Sequence, residues 1–266
     1  MAVSIEDLTG SLEKYTAVQA AGSGACDLCH GATHNGEARC SDCAVTGGQV
    51  THPLRLIVPI SLLRRDSQLD HMLAGYKSRY RPNTQLAWQV GATVARFLGA
   101  HERCLELAGG PFDLLVTVPT SQGRRGVHPL RHAIRRFPAL AAREAELLAP
   151  GPAVLGPHRA ADRGFAVTDR AAARGARVLL LDDVLATGAR LQSAASALAL
   201  AGATVSGAVV VGRLLRFHDE AAKRVWGQMR QQGFSFATCC LEEPRPFQPG
   251  LDLLTPKAKA ATRARS

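Results

Sequence analysis

Hydrophobic positions along this chain fall into short continuous runs, divided by polar turns, with helical spacing in only a few places. Residues 54–60 (LRLIVPI) and 112–119 (FDLLVTVP) are apolar nearly throughout. Runs of that length without alternation predict strands covered on both sides. Residues 69–76 and 86–98 carry apolar side chains three and four apart, which predicts helices. Gly109, Gly110 and Pro111 break the chain between them and the second strand. A basic loop over 121–132 (SQGRRGVHPLRH) precedes an Ala-rich stretch predicted to be helical to about Leu148. Residues 149–157, with three prolines and two glycines, read as a connector.

The clearest unit spans 176–214. Residues 176–183 (ARVLLLDD) predict a buried strand ending in two acids, 184–190 (VLATGAR) a short loop, 191–201 a helix and 203–214 (ATVSGAVVVGRL) another buried strand. Strand, loop, helix and strand in that order form a parallel βαβ unit. The chain is therefore expected to be α/β, a doubly wound, mainly parallel sheet with helices on both faces. After Leu214 the pattern weakens, and residues 255–266 (TPKAKAATRARS) predict a disordered basic tail.

Ligands of such sheets bind at the carboxyl ends of the strands, where Asp182 and Asp183 fall. The helix that follows offers backbone N–H groups and the positive end of its dipole to a phosphate. Gly188 lets the backbone approach closely, and Thr187 can donate its hydroxyl. The two carboxylates repel phosphate but accept hydrogen bonds from hydroxyls. A phosphate beside two hydroxyls describes a ribose 5-phosphate.

The N-terminal region carries a different chemistry. Cys26 and Cys29 (CDLC) and Cys40 and Cys43 (CSDC) form two CxxC pairs ten residues apart. Two such turns complete a tetrahedral four-cysteine zinc site, a small N-terminal ribbon or knuckle. Redox chemistry needs only one CxxC, on a βαβ scaffold, so structural zinc is the better reading. Zinc would also supply stability to a polar segment that lacks a core. His30 and His34 read as solvent-exposed loop, and Cys104, Cys239 and Cys240, without ligand-like spacing, as structural.

Composition narrows the setting. The 266 residues carry 32 Lys+Arg against 22 Asp+Glu, a formal charge of +10, which favours anionic partners or simply a solvated basic surface. No apolar run approaches a membrane span and the N-terminus does not read as a secretory signal, so a cytoplasmic, reducing setting is expected.

Residues 178–190 (VLLLDDVLATGAR) resemble the thirteen-residue signature of type I phosphoribosyltransferases that binds phosphoribosyl pyrophosphate (PRPP). The four-cysteine module joined to it makes the chain similar to the ComF family, named for bacterial competence proteins. The resemblance implies that Asp182 and Asp183 contact ribose hydroxyls and that Ala186, Thr187, Gly188, Ala189 and Arg190 cradle the 5-phosphate. It implies pyrophosphate binding by Thr120, Ser121, Arg124 and Arg125 with Mg2+, and a mobile loop over 159–170 whose Arg159 and Arg163 close over the leaving group. Residues 69–80 (LDHMLAGYKSRY) look like the family's segment ending in a Lys-Tyr-Arg cluster. His128 stands where the family usually has Asn, and Ala186 and Arg190 where Thr is usual; Ala186 argues against purine salvage.

The implied organisation is a module over 1–50, a phosphoribosyltransferase domain with its hood over 51–216, an extension over 217–254 and the tail. Three functions stay open: a transferase acting on an unidentified acceptor, a PRPP-sensing regulator, and an accessory protein of DNA uptake contacting single-stranded DNA. His128 and His158 are general-base candidates only by residue type, and the fold often forms homodimers.

Overall fold

The computed structural model describes residues 3–22, 24–34, 36–78, 83–120 and 128–241. Its strands are β1 (Ile57–Leu63), β2 (Leu114–Thr117), β3 (Leu148–Pro150), β4 (Phe165–Val167), β5 (Arg177–Leu185) and β6 (Thr204–Leu214). Its helices are α1 (Ile5–Thr9), α2 (Ser41–Gly47), α3 (Gln68–Gly75), α4 (Thr84–Gly109), α5 (Pro129–Ile134), α6 (Pro138–Ala141), α7 (Arg170–Ala173), α8 (Ala189–Leu200) and α9 (Glu220–Gln232). Four strands form a parallel sheet in the order β1-β6-β5-β2, and β3 pairs antiparallel with β4.

Successive strand side chains point to opposite faces, and here both faces are buried. Leu179 and Leu181 of β5, Val209 and Val211 of β6 and Val58 and Ile60 of β1 pack with α3, α4 and α5. The intervening Val178, Leu180, Ala208, Val210 and Ile57 pack with α8 and with all four cysteines of the N-terminal pairs. This explains the continuous apolar runs: no strand of the central sheet has a wet side.

The βαβ unit lies where the pattern places it, and several boundaries differ. β5 runs on two residues past Asp183, because Val184 and Leu185 still pair with Gly212 and Arg213 of the long β6. β1 begins at Ile57, where its register with Ala208 of β6 starts. The helix expected over 86–98 extends from its Asn83 cap to Gly109. The single helix expected up to Leu148 is instead two short ones and a strand. Pro129 and Pro138 each occupy a first helical turn, the position proline prefers, so each starts a new helix. Beyond Leu214 the chain forms α9, capped by Asp219. Residues 255–266 lie outside the described residues. No helix among the described residues is long and apolar enough to cross a membrane.

Candidate ligand site and four-cysteine centre

β5 carries Asp182 and Asp183 into the interior, where both are buried. Asp183 lies toward the face covered by α3 and α4: the Tyr76 hydroxyl donates to it and the Lys77 ammonium stands 2.5 Å away. Asp182 accepts from the backbone N–H of Asp183 (2.9 Å), and the Arg190 guanidinium lies 4.0 Å off. The two carboxyls consequently titrate apart. Burial pushes Asp182 up to about 6, helped by the charge of Asp183 and opposed by Arg190. Burial also works against the Asp183 anion, but Lys77 and Tyr76 outweigh it and hold that carboxyl below its ordinary range.

The turn beyond Leu185 delivers the first turn of α8 beside the acids. Gly188 has φ +86, the left-handed conformation that glycine adopts without strain, and no side chain caps the helix. Its leading N–H groups thus carry the partial positive charge of a helix start. The side chains expected to assist are engaged elsewhere. The Thr187 hydroxyl donates to the carbonyl of Pro157. Arg190 donates to the carbonyls of Pro119 (2.6 Å) and Val118 (3.3 Å), bracing the end of β2 against α8. Ala186 is exposed.

Thr120 follows β2 at this edge of the sheet; Ser121, Arg124 and Arg125 lie outside the described residues. A cavity of about 160 Å³ opens beside Thr120, lined also by Thr117, Pro119, His128 and Glu146. It adjoins the acid pair without including it, although His128 lies near enough to Asp183 to favour its anion. Arg159 and Arg163 are exposed, on a segment that is tied down. Asp162 accepts from Thr51 (2.6 Å) and Ser196 (2.5 Å), and the backbone of Ala160 and Ala161 donates to Gln49 and Ser193. His158 stands 3.2 Å from Asp42, over the cysteine module.

Cys26, Cys29, Cys40 and Cys43 are buried, with their sulfurs within 4.8 Å of one another. Cys29 Sγ and Cys40 Sγ are 3.7 Å apart. A tetrahedral ion with Zn–S bonds of about 2.3 Å separates its sulfurs by about 3.8 Å, so the four residues fit structural zinc. Contrary to expectation, His30 is buried, with Nδ1 3.1 Å from the Gln19 carbonyl oxygen. His34 is exposed and pairs with Asp219 at 2.9 Å.

The residue that joins the two centres escaped the sequence reading. Arg213, near the end of β6, is buried. Its Nε lies 3.3 Å from Cys29 Sγ, and Nη1 donates to the carbonyls of Ala186 and Leu214, each at 2.7 Å. Burial opposes its charge, but the sulfurs of Cys29 and Cys40 outweigh that and hold it firmly protonated. Thr46 of α2 makes a second link, donating to the Thr187 carbonyl at 3.3 Å. An arginine inside a run of buried β-residues is a signal, since an unpaired charge there is prohibitively costly. Tyr76 and Lys77 had a weaker one, as part of a segment noted only for its resemblance.

Neither a protein-family model nor a curated protein matches the chain. The fold and site define an α/β protein: a parallel four-stranded sheet, an acidic pair at a strand-to-helix turn, and four cysteines positioned for one metal ion.

Proposed function

We propose that this chain binds PRPP and transfers its ribose 5-phosphate to a nitrogen acceptor, releasing pyrophosphate, as a divergent type I phosphoribosyltransferase resembling the ComF family. The observation carrying this reading is that β5 sets two buried carboxylates near its carboxyl end, followed after a short turn by an uncapped helix start that turns on a left-handed Gly188. The helix start suits the 5-phosphate and the carboxylates suit the ribose hydroxyls. With Thr187 and Arg190 engaged by carbonyls, backbone N–H groups would carry most of the phosphate contact.

Bond breaking at the anomeric carbon develops oxocarbenium character, as in other glycosyl transfers. Anionic Asp183, held ionised by Lys77, would orient the sugar and stabilise that positive charge. Lys77 would share the carboxylate with the ribose rather than leave it bare. Mg2+, entering with PRPP, would neutralise the departing pyrophosphate on the side of Thr120.

Titration calorimetry with PRPP and Mg2+ tests the binding step. Wild-type protein is expected to bind, and Asp182→Asn with Asp183→Asn to lose binding; unchanged affinity in the double variant would sink the assignment. Pyrophosphate release across a panel of nucleobases then identifies the acceptor. Binding without turnover on the whole panel would favour the sensing role.

A further inference from the structure

Away from the sheet edge, the middle of α4 meets the chain that follows α9. His101 and Cys104 stand one helical turn apart on the same face of α4. Cys239 reaches them from the returning segment, whose Phe236 packs against Tyr15 and lies over the Arg96 guanidinium. One ligand atom from each of His101, Cys104 and Cys239 lies within 4.8 Å of the other two.

The imidazole is oriented as metal-binding histidines are. Its Nε2 is 3.0 Å from the Phe236 carbonyl oxygen. A carbonyl can only accept, so Nε2 carries a proton, and in the neutral ring the lone pair is then on Nδ1. Nδ1 is the atom turned toward sulfur, 3.9 Å from Cys104 Sγ. A backbone carbonyl that fixes the tautomer of a ligating histidine is the usual outer partner in metal sites. For bonds of about 2.3 Å to sulfur and about 2.0 Å to nitrogen, ligand atoms in tetrahedral or trigonal geometry stand about 3.5–4.0 Å apart. Small side-chain adjustments would close the site.

We propose that His101, Cys104 and Cys239 form a second metal site, separate from the four-cysteine centre, for a thiophilic ion of the zinc class. Two thiolates and an imidazole suit zinc or copper(I) and are poor ligands for magnesium or calcium. The described residues supply three ligands, which leaves a fourth position for water or an exchangeable group. The ion would staple the segment after α9 onto α4, closing the edge of the core that Phe234, Phe236 and Cys240 cover. Cys240 faces the other way, buried in the apolar cluster with Phe236 and Tyr15, and is not grouped with these three ligand atoms.

The test is a metal count on the full chain, reduced, stripped and titrated with Co2+ while following sulfur-to-cobalt charge-transfer and ligand-field bands. Wild type is expected to take two equivalents, and Cys240→Ser also two. Cys104→Ser and Cys239→Ser should each take one, with the four-thiolate spectrum intact. Cys26→Ser should lose that spectrum and keep the other. A wild-type count of one overturns the proposal without any variant. So does a count of two in both Cys104→Ser and Cys239→Ser, which would put the second ion elsewhere.

Discussion

A carboxylate enclosed by apolar strands must take its counter-charge from a neighbour, and the adjacent acids do so unequally. Asp183 has Lys77 at 2.5 Å, whereas the nearest cation to Asp182 among the described residues is Arg190 at 4.0 Å, a guanidinium already bound to two carbonyls. Folding raises Asp182 from 3.8 to about 6. Between those values the native state holds a proton that the unfolded chain has released. The stability this gives is full below about pH 4 and is lost as pH rises through about 6, so near neutrality the ionised group costs on the order of 3 kcal/mol. Asp182→Asn keeps an acceptor for the Asp183 N–H and carries no charge. It is expected to melt several degrees above wild type at pH 8, with the gap closing toward pH 4, in thermal denaturation followed by circular dichroism. If the site is the PRPP pocket proposed above, the same variant should bind PRPP more weakly, the trade common where a site keeps a strained group for use. The acids themselves were legible in the sequence, because two charges ending an apolar run have few other reasons to be there. Their partners were not: Tyr76 and Lys77 come from a distant segment, and no local pattern announces that pairing.

Helix packing decides how the other rim of the site is held. α4 crosses α5 at Gly91, where an added Cβ would stand 2.4 Å from the Ala133 carbonyl oxygen and 2.6 Å from the Phe137 ring. α5 begins directly after His128, the histidine that approaches Asp183. Gly91→Ala should therefore push the two helices apart, costing about 1–3 kcal/mol in urea denaturation. An unchanged midpoint would mean that α5 is not seated on α4 as described. β5 and α8 could be read from the chain because every local cue agreed: a continuous apolar strand, a glycine turn, then helical spacing. The stretch after His128 offered conflicting cues, alanines favouring one long helix and prolines dividing it. α9 was hidden for another reason. It buries only Ala221, Ala222 and Val225, too narrow an apolar stripe to stand out among its charges.

At the scale of the whole molecule, the cysteine module is one wall of the protein. Its four cysteines belong to the same apolar cluster as Ile57, Val210 and Leu198, and Arg213 ties them to the turn before α8. Metal withdrawal is thus expected to lower the melting temperature of the entire chain in one transition, as calorimetry with and without a strong chelator would record. Two transitions, with the larger unmoved, would show a module that unfolds alone. The sequence suggested a polar appendage because its sulfurs and small residues score poorly as a core; folded, they pack as one.

Arg213 also bears on how the chain can be cut for experiments. One guanidinium serves the sulfurs on one side and the carbonyls of Ala186 and Leu214 on the other, and it is buried only because both sides enclose it. A fragment starting at Leu54 would leave that cation facing water, and bare sheet beside it. Such a fragment would not be a smaller version of the protein but an unfinished surface, and any binding it lost would say nothing about what residues 1–50 bind.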